Sequence, residues 1–155
     1  MRYRTRRNLL VMISGVALLS TAASAQDFFN EFAQEGVAFE PEFITATEVK
    51  KLMDEGDTSF LLVDNAPGLA YDEEHIPGAV SYPWVHDLTL PVTLPRNKTL
   101  ILYCPCGPGD VDSIDIAKQL RQFGYFRVKV LEGGWFEWLD HEYPTYQKAG
   151  GEADA

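Results

Sequence analysis

The sequence predicts an α/β fold: a central, mostly parallel sheet with helices on both faces. Two observations carry this. Ser59 to Val63 and Thr99 to Tyr103 are short apolar runs bounded by turn residues, as expected for strands buried on both faces. Amphipathic helical segments alternate with them along the chain. A length of 155 residues allows one domain, and no internal repeat suggests a second.

The elements follow in order. Thr45-Ala46-Thr47-Glu48 reads as a capping box, with Thr45 at the N-cap and Glu48 at N3. Val49, Leu52 and Met53 give that helix an apolar stripe, and Gly56 stops it. The strand from Ser59 ends at Asp64. Asn65 to Pro77 is expected as a loop, and Ala79 to Trp84 as a short alternating strand. A proline-marked connection, Asp87 to Asn97, leads to the strand Thr99 to Tyr103, which runs straight into Cys104. Asp112 to Phe123 is helical, with Ile114, Ala117 and Leu120 on one face and Gly124 as the stop. Arg127 to Leu131 is a strand and Trp135 to Asp140 a short helix. Residues 26–43 form an acidic, aromatic N-terminal extension, with a short helix near Asp27 to Gln34 and aromatic side chains expected to pack on the domain. The domain is expected over residues 44–147, and residues 148–155 as a polar, disordered tail.

The N-terminus reads as an address. Arg2, Arg4, Arg6 and Arg7 precede an apolar stretch, Leu9 to Leu19, and Ala23-Ser24-Ala25 offers a small-x-small cleavage site before Gln26. That is the layout of a secretory signal peptide over residues 1–25. The apolar run is shorter than the roughly 20 residues of a spanning helix, so no stable membrane anchor is expected after cleavage. Thr5-Arg6-Arg7-Asn8-Leu9-Leu10 is also similar to a twin-arginine export signal. The expected location is periplasmic or secreted. The first 25 residues hold four arginines and no acid, so the net charge of −10 becomes −14 without them. So acidic a body is a poor match for nucleic acid or anionic lipid. Two cysteines are too few for a disulfide scaffold.

The chemistry is expected in Tyr103-Cys104-Pro105-Cys106-Gly107-Pro108-Gly109-Asp110-Val111-Asp112: a buried strand, a Gly/Pro loop, then a helix. Ligands bind at the carboxyl ends of strands in such sheets. A helix N-terminus presents unpaired N–H groups and the positive end of its dipole, which favours a thiolate. The alternative is a small buried cysteine that only packs.

These residues, with others, resemble the single-domain rhodanese (sulfurtransferase) family. The matching pieces are Leu61-Leu62-Val63-Asp64, His75-Ile76-Pro77-Gly78-Ala79, Leu102-Tyr103-Cys104, Phe123-Gly124-Tyr125, and Val130-Leu131-Glu132-Gly133-Gly134-Trp135 with Trp138. They run in the family's order from about Ile44 to Pro144. The resemblance implies a rhodanese-like fold and a catalytic cysteine at Cys104 that accepts sulfane sulfur as a persulfide. The implied partners are a small sulfur donor and a thiol acceptor, with no metal and no organic cofactor.

The loop departs from the family pattern, which usually carries one or two arginines. This one has no Arg or Lys before Lys118, and has Asp110, Asp112 and Asp115 instead. Pro105 and Pro108 each remove an N–H donor. Anion stabilisation falls to the N–H groups of Cys106, Gly107, Gly109, Asp110 and Val111. Ala66 and Ala70 stand where family members often have Arg and Glu. These departures argue against efficient turnover of thiosulfate, and they leave open an inactive rhodanese fold serving as a periplasmic binding or redox module. A phosphatase reading lacks the arginine that would hold a phosphoryl group.

The spacing of Cys104 and Cys106 leaves three roles for the second thiol. It resolves a persulfide on Cys104 through an easily reduced disulfide, it shares a soft metal such as copper(I), or it packs under the loop. His75 is expected to fix a turn, and Asp64 to bond the neighbouring loop. His86 and His141 have no carboxylate or histidine partner at ligand spacing, so no zinc site is expected. Trp135 and Trp138 are expected to pack in the core, Gly133-Gly134 to allow close approach, and Asp72-Glu73-Glu74 to be a solvated loop. Nothing in the sequence indicates an oligomeric state.

Overall fold

The structure, a computed structural model, describes residues 39–148. The proposed signal peptide, the helix near Asp27 to Gln34 and the tail beyond Lys148 lie outside the described residues.

The main sheet has five strands: β1 (Phe43–Ile44), β2 (Phe60–Asp64), β4 (Val80–Ser81), β5 (Thr99–Tyr103) and β6 (Val128–Leu131). Their order across the sheet is β1-β6-β5-β2-β4. Every pairing in it is parallel. The register sets Asp64 beside Tyr103 and Ser81 beside Asp64, so the carboxyl ends of β2, β4 and β5 finish level with one another.

Period-2 alternation divides these strands between two cores. Leu62, Ile101, Tyr103 and Leu131 join a cluster with Val49 and Trp138. Their sequence neighbours Val63, Leu100, Leu102 and Val130 join a second cluster with Ile116, Ala117 and Leu120. A sheet buried on both faces needs apolar side chains at successive positions, which is why β2 and β5 read as continuous apolar runs. The covering helices are α1 (Ala46–Asp54) and α4 (Gly134–Asp140) on one face and α3 (Val111–Gln122) on the other. The capping box forms as the sequence predicts: Thr45 accepts the Glu48 N–H, and Glu48 accepts the Thr45 N–H.

Three expectations need correction. The segment Asn65 to Pro77 is not a plain loop: it holds α2 (Gly68–Glu73) and β3 (Glu74–His75). No residue of α2 is buried, so it has no apolar stripe to signal a helix. The strand expected over Ala79 to Trp84 shrinks to Val80–Ser81. Pro83 has no N–H for a ladder, and Asn65 takes over the segment by donating its side-chain amide to Tyr82 O and accepting the Trp84 N–H on its carbonyl. Near the C-terminal end, β7 (Tyr146–Gln147) pairs antiparallel with β3 in a second, two-stranded sheet. Asp72-Glu73-Glu74 therefore lies in α2 and β3. Among the described residues, no helix is long and apolar enough to cross a membrane.

Candidate active site

β5 delivers Cys104 to the carboxyl end of the sheet, and the loop 104–110 then turns into α3. Two strong backbone ties position it. The Cys104 carbonyl accepts the Trp135 N–H at 3.1 Å. The Asp110 carboxylate accepts the Gly133 N–H at 3.0 Å. Gly134 makes this closeness possible: a Cβ there would stand 2.5 Å from the Cys104 carbonyl oxygen and 2.9 Å from Asp110 Oδ1. The close-approach role read for the Gly133-Gly134 pair is thus realised against the cysteine loop itself.

Within the loop, Cys104 is buried and Cys106 half-buried. Their sulfurs are joined in a disulfide, with Cα atoms 5.3 Å apart. Gly107 and Gly109 adopt positive φ, as does Asp110. Among the described residues, the N–H groups of Cys106, Gly107 and Gly109 donate to no other protein group, whereas the Asp110 N–H turns back to the Gly107 carbonyl at 3.5 Å. Val111 begins α3 and is exposed.

Asp110 serves the site through its side chain, which the sequence reading missed. It is 4% exposed, and its Oδ1 has no hydrogen-bond partner. Burial pushes its carboxyl above the usual range, with the charge of Glu132 adding to the effect and the Gly133 N–H opposing it. Asp112 holds a second unforeseen position. One of its carboxylate oxygens and the two cysteine sulfurs all lie within 4.8 Å of one another. Once the disulfide is reduced, two thiolates and a carboxylate could hold a soft cation.

A cavity of about 550 Å³ opens beside the loop, lined by Asp64, Ala66, Ala70, Glu73, Glu74, Tyr103, Pro105, Trp135, Gln147 and Lys148. Asp64 bonds the following loop as expected, accepting the Ala66 N–H at 2.7 Å. Burial raises its carboxyl above the usual range, while the Tyr103 hydroxyl and the Ala66 N–H oppose the rise. The Tyr103 hydroxyl also accepts the Ile76 N–H at 3.1 Å, and its own proton is held tightly by burial beside Asp64. On the far wall, Glu74 accepts from Thr145 and Gln147.

His75 is buried, stacked on Tyr71 at 3.9 Å and near Tyr146, with Nδ1 on the Tyr71 carbonyl. Trp138 is core, while Trp135 is only partly buried and also lines the cavity. His141 does have a carboxylate one turn away, Glu137 at 3.5 Å, and His86 contacts Asp87. Neither pair belongs to a cluster of metal-ligating groups among the described residues.

Comparison with known proteins agrees with this geometry. Residues 45–141 match the rhodanese-like domain family. A Haloferax volcanii protein named as a candidate thiosulfate sulfurtransferase is 28% identical over 126 residues, which cover 66% of this chain and 42% of that protein. The chain thus spans about two fifths of that relative's length. A protein of Bacillus halodurans superposes with a TM-score of 0.63 at 25% identity, over 84% of this chain and 92% of that one. A 3-mercaptopyruvate sulfotransferase of Escherichia coli superposes with a TM-score of 0.55 at 25% identity, over 72% of this chain and 53% of that one. On the family match, the parallel sheet and the cysteine loop at its carboxyl edge, this chain belongs to the rhodanese-like domain family.

Proposed function

We propose that this chain is an exported sulfurtransferase that carries sulfane sulfur as a persulfide on Cys104 and passes it to a thiol acceptor. The observation that carries this reading is the position of Cys104: at the end of β5, under a loop with free amides that opens into α3. In the reduced protein the Cys104 thiolate attacks the sulfane sulfur of a donor. The new S–S bond forms as the donor's bond breaks, and the donor residue leaves with the electron pair. The N–H groups of Cys106, Gly107 and Gly109 stabilise the persulfide anion. An acceptor thiol then takes the outer sulfur. The bond between Cys104 and Cys106 supports Cys106 as a resolving thiol: its attack on the inner sulfur of the Cys104 persulfide would expel the outer sulfur as hydrosulfide and close the disulfide. The leader formed by Arg2 to Arg7, Leu9 to Leu19 and Ala23-Ser24-Ala25 supports export to the periplasm or beyond.

The same disulfide favours a second reading, a thiol–disulfide redox module with no sulfur transfer. Intact mass after reduction and incubation with a sulfane donor separates the two. Sulfur transfer predicts a gain of about 32 daltons, or its release as hydrosulfide where Cys106 closes the disulfide, both lost in Cys104→Ser. Reduction and reoxidation with neither a gain nor hydrosulfide would establish the redox module instead.

A further inference from the structure

A carboxylate stands close to the two sulfurs. Asp112, in the first turn of α3, has a carboxylate oxygen within 4.8 Å of both. No Lys or Arg follows Cys104 until Lys118, on an exposed part of α3. Among the described residues, Glu73, Glu74 and one basic residue, Lys148, line the neighbouring cavity. Asp64 lines the cavity too. Amide donors are also scarce, since Pro105 and Pro108 have none and the Asp110 N–H is spent on Gly107. In a half-buried setting a like charge about 5 Å away is repelled several-fold more strongly than in water.

We propose that the site selects its sulfane donor by charge, with Asp112 as the discriminating residue: it takes hydropersulfides of zero or positive net charge and excludes anionic donors such as thiosulfate. This rests on the sulfurtransferase reading and adds a substrate class to it. The step is balanced without an outside oxidant. The Cys104 thiolate attacks the outer sulfur of R–S–SH, and the Cys104 S–S bond forms as the donor's S–S bond breaks. Cys104–S–SH keeps the proton, and R–S⁻ leaves with the electron pair and is protonated by solvent.

A matched pair of donors isolates charge from reactivity: aminoethyl hydropersulfide and carboxyethyl hydropersulfide, with thiosulfate as a third arm. The readout is the rate at which the reduced full chain takes up sulfur, summed as the one-sulfur gain in intact mass and the hydrosulfide released. At low salt the aminoethyl donor should load at least about tenfold faster than the carboxyethyl donor, and thiosulfate should be slowest. Salt at about 1 M, where the screening length is about 3 Å, should draw the ratio toward one. Asp112→Asn and Asp112→Ser should each lower the ratio several-fold, chiefly by speeding the carboxyethyl donor. The salt series uses the unaltered protein, so it stands if a variant folds poorly. Equal rates at low salt, thiosulfate loading fastest, or a ratio indifferent to salt and to both substitutions would overturn the selection and leave the sulfurtransferase reading standing. Loading from none of the three donors would overturn both.

Discussion

Asp110 accepts the Gly133 N–H at 3.0 Å, so the loop after β5 and the turn before α4 form one hydrogen-bonded unit. The cysteine loop is therefore held by a helix 23 residues further along the chain. Asp110→Ala leaves a half-buried donor without a partner, at a cost of about 1–3 kcal/mol. Because Asp110 Oδ1 is itself unpartnered, the loss should fall toward the lower end of that range. Urea denaturation of the reduced proteins measures it, and Asp110→Asn, which keeps an acceptor, should recover most of it.

Gly134→Ala should be far more damaging than Gly56→Ala, though both residues have positive φ. A Cβ on Gly56 meets nothing within 4 Å, so its cost is the left-handed strain of about 1–2 kcal/mol. A Cβ on Gly134 meets the Cys104 backbone as well, which should add about 1–3 kcal/mol of overpacking and slow sulfur loading. Equal denaturation midpoints for the two variants would contradict the close packing.

Tyr103→Phe removes the hydroxyl that accepts from Ile76 N–H and supports Asp64. The buried Ile76 amide is then unpaired, and a loss of about 1–3 kcal/mol is expected. The Asp64 carboxyl should rise further, which its side-chain chemical shift reports in a pH titration.

Asp64 also gives a pH dependence with a definite sign. Its folded pKa is raised, chiefly by burial, so above the unfolded value of about 4 the folded state binds more protons than the unfolded one. Its contribution to stability is therefore greatest below that value, and falls as pH rises through the folded pKa. The stability of the wild type relative to Asp64→Asn should decline from about pH 4 upward until the folded carboxyl has ionised. A difference that grows over that range would reverse the assignment.

Cys106→Ser should load sulfur on Cys104 and keep it longer than the wild type, because the thiol that expels it as hydrosulfide is gone. Mass spectrometry after removal of excess donor follows the decay. Decay as fast as in the wild type would mean that Cys106 only packs.

The strands that build the sheet were legible because both their faces are covered: β2 and β5 have no solvent face to interrupt the apolar run. The helices announced themselves through Thr45, Glu48, Gly56 and Gly124. What escaped was short or tertiary. The helix α2 buries nothing, and β1, β3 and β7 are two residues each, too brief to show a period. Cys104 and Cys106 could be placed from the sequence because the strand-to-loop junction is local. The proximity of Asp112 to both sulfurs depends on how the loop folds back, and the Asp110 tie depends on a partner far along the chain. Its spacing from Cys104 carries neither signal. The cavity joins segments around residues 64–74, 103–105, 135 and 147–148, which only the fold brings together.

The pairing of β7 with β3 has a practical corollary. Gln147 and Lys148 form part of the cavity wall, and the Lys148 N–H is anchored on the Glu73 carbonyl. Trimming the carboxyl terminus back past Tyr146, or grafting an affinity handle directly onto Lys148, would thus remodel that cavity. Such a cut would also remove the one basic residue in its lining among the described residues.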